Sequence, residues 1–220
     1  VVNGLVNGTP YTFRVFAING VGLGTSSSAA TATPATVPGI PRGLTPIAAD
    51  GVVVLTWAAP LTDGGNAVTG TTVERSSDGI TWIQVAAGVA GTTWTATGLT
   101  NGIAYWFRVS ATNAVGSGAS SLPVVAVPAS APTAPVIASA VGSDGQVLLA
   151  WTAPVSSGGS ALLGYRVDYR PASGGSWQTA ITNVAGTTAI VTGLTNGTLY
   201  AFRVSAENAV EPTAFSALTR

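Results

Sequence analysis

The 220-residue chain carries eight arginines against eight acidic residues, for a formal net charge of zero, and has no Cys, His, Met or Lys. That inventory excludes disulfides and zinc sites, and it removes three of the six side chains most often recruited as general acids or bases. With only 7% charged residues the chain lacks the clustered cations of a nucleic-acid binder, and its longest apolar runs, such as Val52–Leu55, fall far short of the roughly 18 residues that cross a bilayer.

In chain order, "GLVNGTPYTFRVFAINGVG" opens at Gly4, with Tyr11, Phe13 and Val15 alternating against Thr12 and Arg14. This predicts a strand followed by its hairpin partner. A proline-rich stretch, "PATVPGIP" (Pro34 to Pro41), reads as a semi-rigid linker. Then come "GVVVLTW", an Asp63-Gly64 turn, a strand through Glu74, an Asp78-Gly79 turn, and a short strand at Trp82. "TTWTAT" and "YWFRVSA" follow, separated by Asn101-Gly102; Tyr105, Phe107 and Val109 face inward there, while Trp106 and Arg108 face outward. A second linker, "PASAPTAP" (Pro128 to Pro135), leads into "GQVLLAW", "YRVDYR" and "YAFRVSA". Helical periodicity is absent throughout.

The order repeats. "GLVNG", "GLTNG" and "GLTNG" begin at Gly4, Gly98 and Gly193, spacings of 94 and 95, and Trp57 answers Trp151 at 94. A period this long is a whole domain. The boundaries fall at 1–36, 37–128 and 129–220, the first being only the last third of a copy. Seven short strands per complete copy predict an all-β, antiparallel two-sheet sandwich.

A Trp closing the second strand, a "GG" turn, and "TGLTNGTxYxFRVSAxNAVG" resemble bacterial fibronectin type III domains over both complete copies. The resemblance implies tandem immunoglobulin-like sandwiches, with copy one supplying only strands F and G. It assigns Leu5, Leu99 and Leu194 as end plugs, Tyr11, Tyr105 and Tyr200 as corner tyrosines, and Trp57 and Trp151 as core residues. It also places strand C beside strand F, so Arg108 is expected to pair with Glu74 and Arg203 with Asp168, as exposed cross-strand ion pairs. The last F–G loop departs from the pattern at Glu211-Pro212. Copy two departs at Thr71, where copy three has Tyr165, and Trp94 at the place of Ala189 is read as compensating volume.

No catalytic constellation is found, because Ser and Thr have no His or Lys to activate them. The residues 1–36 cannot bury their apolar face alone, so the missing strands either lie outside this segment or come from another chain, a route to self-assembly. The function implied is a non-catalytic spacer or presentation stalk of a larger protein, without cofactor or metal, whose partners are adjacent domains. The alternatives are an adhesion module gripping polysaccharide or a surface protein through Trp106 and Arg108, and a structural module of a phage tail, capsid or filament. The resemblance, with Arg used to the exclusion of Lys, implies an extracellular, cell-surface or virion location and a bacterial or phage source; the lack of Met or a leader suggests an internal piece.

Overall fold

A computed structural model describes residues 1–210 and 215–217. The Glu211-Pro212 departure and the carboxylate of Glu211 lie outside these residues. All regular structure among the described residues is β. The alternating runs become strands because their side chains alternate between a packed and a solvated face. In copy one, β1 (Tyr11–Phe13), β2 (Phe16–Asn19), β3 (Gly22–Ser26) and β4 (Ala30–Ala32) form two short antiparallel pairs, β1 with β4 and β2 with β3. Between the pairs, Val15 and Ser27 exchange a clamp. The Ser27 N–H donates to the Val15 carbonyl at 2.9 Å, and the Val15 N–H donates to Ser27 Oγ at 3.1 Å.

Copy two contains β5 (Arg42–Ala49), β6 (Val52–Ala58) and β9 (Thr93–Ala96) in one sheet, ordered β5-β6-β9. Its other sheet is ordered β11-β10-β7-β8, from β7 (Gly70–Ser76), β8 (Ile83–Val89), β10 (Tyr105–Thr112) and β11 (Val124–Ala126). Copy three repeats this with β12 (Val136–Ser143), β13 (Gln146–Thr152) and β16 (Thr188–Thr192) in one sheet, and β15 (Gln178–Val184), β14 (Leu162–Pro171) and β17 (Tyr200–Asn208) in the other. These are tandem antiparallel sandwiches of immunoglobulin-like layout.

By contact the chain divides into two compact units. The first comprises Val1–Ile47, Val54–Ala96 and Tyr105–Ala126; its buried side chains include Leu55, Trp57, Val73, Phe107 and Val109. The second comprises Ala48–Val53, Thr97–Ala104 and the chain from Val127. Its core gathers Leu149, Trp151, Tyr165, Val167, Val191, Phe202 and Val204, with Tyr165 meeting Trp151 edge-on at 5.5 Å. At the matching place in copy two stands buried Thr71, and half-buried Trp94 replaces Ala189. In copy one Phe16, Ile18 and Leu23 are exposed.

Candidate functional site

Register brings the aligned acid and arginine of each complete copy face to face. Arg108 opposes Glu74 across β10 and β7, and Arg203 opposes Asp168 across β17 and β14. Arg108 Nε donates to Glu74 Oε2 at 2.7 Å and its Nη2 donates to Oε1 at 3.1 Å, a two-point fork. Arg203 Nη2 donates to Asp168 Oδ2 at 2.8 Å, and Arg166 Nε donates to Oδ1 at 2.8 Å. Each arginine of strand F lies over an indole: Arg108 is 4.3 Å from the Trp82 ring and Arg203 is 4.3 Å from Trp177. Trp82 and Trp177 therefore form ledges beneath guanidinium groups.

The two pairs differ in burial and in their neighbours. Copy two has Ser120, whose hydroxyl donates to Glu74 Oε2 at 3.4 Å. Copy three has Phe215 at that position, and its ring centroid lies 3.6 Å from Arg203 Cζ. Asp168 is fully buried, whereas the Glu74 side chain keeps 21% exposure. The pair expected to be exposed in copy three is thus a fully buried carboxylate shared by two partly exposed cations. Burial pushes the Asp168 carboxyl up, but hydrogen bonds from Arg166 and Arg203 outweigh it and hold the group below its ordinary value. The Arg108 hydrogen bonds likewise hold Glu74 down.

Trp106, expected outward and exposed, is half-buried on β10 and lies against the Asp78-Gly79 turn, where a Cβ on Gly79 would stand 3.5 Å from its Nε1. Trp57 and Trp151 are buried, as is Leu99; Leu5 and Leu194 are half-buried. The Tyr11 hydroxyl accepts the Val6 N–H at 3.0 Å, and the Tyr200 hydroxyl accepts the Thr195 N–H at 3.1 Å, which lowers the Tyr200 phenol from its ordinary value. Tyr105 is half-buried at the equivalent corner. Among the described residues, no group of three or more acidic side chains could hold a metal ion.

The more extensive constellation was missed in the sequence, and it surrounds the linkers. Inside the first unit, Asn113 is buried and its Nδ2 donates to the carbonyls of Thr36 and Asp63, both at 2.8 Å. Inside the second unit, Asn208 Nδ2 donates to the carbonyls of Ser130 at 2.8 Å and Ser157 at 2.9 Å. Each Asn turns its Oδ1 onto its own F–G loop, accepting from Val115 and Val210 at 2.9 Å. One side chain thereby ties a linker, the loop between strands B and C, and the F–G loop. The backbone adds to this: Thr36 N donates to Gly64 O and Ser130 N to Gly158 O, each at 2.8 Å.

The Asn-Gly turn of one copy closes on the same place. Gly8 N donates to Pro34 O at 2.9 Å, and Gly102 N donates to Pro128 O at 2.8 Å. A Cβ on Gly65 would stand 2.3 Å from Gly8 N, and one on Gly159 would stand 2.4 Å from Gly102 N. Neighbouring Gly64 and Gly158 hold φ of +78° and +75° and would meet the linker carbonyls of Thr36 and Ser130. The paired glycines are therefore required by close backbone approach as well as by the turn. "GG" together with a buried Asn ending strand F was the available signal, but its meaning needs two segments about 77 residues apart in space together.

Paired sheets, repeated in tandem and joined by hydrogen-bonded linkers, define a modular sandwich protein of immunoglobulin-like architecture. The chain belongs to the fibronectin type III family, whose domain model, "Fibronectin type III domain", matches residues 40–127 and 130–218. It is 34% identical over 223 residues to Myomesin-2 of Homo sapiens, covering 95% of this chain and 15% of that protein. It is 34% identical over 222 residues to the M-protein, striated muscle, of Gallus gallus, covering 94% and 15%. Among solved structures, "Crystal structure of chicken CNTN1 FN1-FN3 domains" is 22% identical, covers 98% of this chain and 76% of that one, and has a TM-score of 0.47. The chain thus spans about 15% of the length of the curated relatives it matches.

These relatives correct the expected location. A protein 34% identical over its length to a striated-muscle protein is not assigned to the extracellular space, a cell surface or a virion. The error came from carrying a location over with a fold, and a sandwich core is indifferent to compartment. Nor do the animal relatives support the bacterial kind of the family, or the carbohydrate and adhesion roles attached to it.

Proposed function

We propose that this segment is a non-catalytic spacer within a larger protein, its modules running 37–128 and 129–220, with residues 1–36 the F and G strands of a further module. The observation that carries the proposal is the twice-built joint: Asn113 and Asn208 each fasten a proline-bearing linker to two loops of the module it enters. A linker so fastened transmits position, which is what a spacer needs. Arg108, Glu74, Arg203, Asp168 and the ring ledges serve the sheet faces, and Trp106 covers the Asp78-Gly79 turn. The corner and plug residues close the sandwich ends. Partners are then the adjacent domains, and the likeness to Myomesin-2 and the striated-muscle M-protein directs the search for others toward proteins of muscle. A bacterial source is not needed by this reading.

Stretching the full chain between handles tests it. Two abrupt steps are expected, each releasing about 300 Å of contour from roughly 88 residues. Smooth extension without discrete steps would mean that the modules do not hold length under load, and the spacer role would fall.

A further inference from the structure

The outward face of sheet β15-β14-β17 carries three arginines where the matching positions of copy two carry one. Arg166 and Arg170 stand where copy two has Thr72 and Ser76, while Arg203 and Asp168 repeat Arg108 and Glu74. Three guanidinium groups against the single Asp168 carboxylate leave a net charge of +2, three minus one, where the copy-two set sums to zero. The whole chain is neutral, and β15 has no charged residue. The other acid of β14 and β17, Glu207, lies opposite Gly164, one row beyond Arg166, and counting it still leaves the face cationic.

Register lines the cations up along the strands. Arg170 pairs with Ala201, Asp168 with Arg203, and Arg166 with Ser205, so Arg170, Arg203 and Arg166 occupy three successive rows of one face. Rows two residues apart are about 6.6 Å apart, which sets the outer two about 13 Å apart. Trp177 braces two of the three groups, lying 4.7 Å from Arg170 and 4.3 Å from Arg203. Donors remain on this face. Arg108 holds Glu74 through Nε and Nη2, and Arg166 holds Asp168 through the same two atoms. In Arg170, Nη1 donates to the Gly175 carbonyl at 3.2 Å, Nε is without a partner, and no carboxylate of the described residues takes the Nε–Nη2 edge. We infer that this face is a docking surface for an extended acidic segment of a partner polypeptide, with Asp or Glu at every second position. Such a segment spaces its carboxylates on one side as the rows space the arginines, so three carboxylates meet three guanidinium groups. A single small anion does not span the outer rows. A second copy of this chain is not the occupant, because no two of its eight acids lie two positions apart. The inference stands apart from the spacer reading, since no linker residue takes part.

Titrating the full chain with a ten-residue peptide alternating glutamate and threonine, followed by amide chemical shifts, tests it. Saturable shifts are expected at Gln178, Thr179 and Arg203, with Thr72, Glu74 and Arg108 of copy two unmoved. Affinity should fall about 10-fold as salt rises from roughly 0.01 to 0.3 M. The glutamine counterpart of the peptide is expected to shift nothing. Arg170→Gln lies outside the bonds to Asp168, and it is expected to weaken binding about 5-fold or more while Val167 and Val204 stay protected. Arg166→Thr, which installs the copy-two residue, should weaken binding at least as much. Shifts that are absent, or shared equally by both copies, overturn the docking surface, as does unchanged affinity in Arg170→Gln. Inorganic phosphate producing the same shifts at the same concentrations overturns the peptide partner and reduces the face to a simple anion site.

Discussion

Changing Asp168 to Asn should cost the third sandwich several times what Glu74→Gln costs the second, although the two acids hold matching positions. Asp168 is fully buried between Arg166 and Arg203, so its loss leaves two guanidinium groups facing each other without their counter-ion. Breaking a buried pair from one side costs about 3–5 kcal/mol, because the remaining charge is stranded away from water. Here Arg203 retains 23% and Arg166 39% side-chain exposure, so solvent screens part of the penalty and about 2–3 kcal/mol is expected. Glu74 and Arg108 are both in reach of water, so their pair is worth about 0–1 kcal/mol. For a domain of this size that translates to roughly 10–20 °C in midpoint for Asp168→Asn, against about 5 °C or less for Glu74→Gln. Thermal unfolding followed at the amides of Val167 and Val204 for copy three, and Val73 and Val109 for copy two, reads each separately. Equal losses at the two sites would refute the argument that burial, and not pairing, sets the magnitude. The pH dependence has a fixed sign. Asp168 is held below its unfolded value, so its contribution is complete above the ordinary carboxylate range near about 4 and fades as pH falls through the lower folded value. The gap between native and Asp168→Asn should therefore close in acid.

Phe215→Ser should bring copy three toward the geometry of copy two, letting water reach the triad and reducing the cost of Asp168→Asn to about half in a double-mutant cycle. Asn208→Ala removes the donor to the Ser130 and Ser157 carbonyls and is expected to cost about 1–3 kcal/mol, read by chemical denaturation; Asn113→Ala should act alike on Thr36 and Asp63. Gly158→Ala places a Cβ on the Ser130 carbonyl at a φ of +75°, and a loss of about 1–3 kcal/mol with faster exchange at the Ser130 amide is expected. Trp177→Ala removes the ledge under Arg203 and Arg170, and a loss of about 1–2 kcal/mol is expected beyond that of Trp177→Phe, by the same unfolding assay.

Strands and repeats were legible because they follow from a two-residue period and a fixed 94–95 offset. The facing acid and arginine became legible only once the family resemblance placed strand C beside strand F. Burial of Asp168 was not legible by counting, for it depends on two arginines, Arg166 and Arg203, converging on one carboxylate. The Val15–Ser27 clamp and its equivalents at Val109–Ser121 and Val204–Ser216 escaped for a similar reason. A lone serine among many carries no pattern until the backbone it faces is known. Asn113 and Asn208 carry no pattern of their own either. Their partners sit in a linker and a turn that have no hydrophobic signal of their own.

The repeat in "GLTNG" now has a physical explanation with two halves. Its leucine and the following tyrosine face the interior and close the sandwich that contains them, while its asparagine and glycine face outward and receive the next linker. The inward half is required by any single sandwich. The outward half also serves its own turn, through the asparagine bonds and the positive φ of its glycine, and where modules are joined the Gly-Gly pair meets it so closely that an added Cβ at Gly65 or Gly159 collides with backbone. At Asn196-Gly197 the asparagine makes the same bonds as at Asn101, and nothing among the described residues lies within 4 Å of a Cβ built on Gly197.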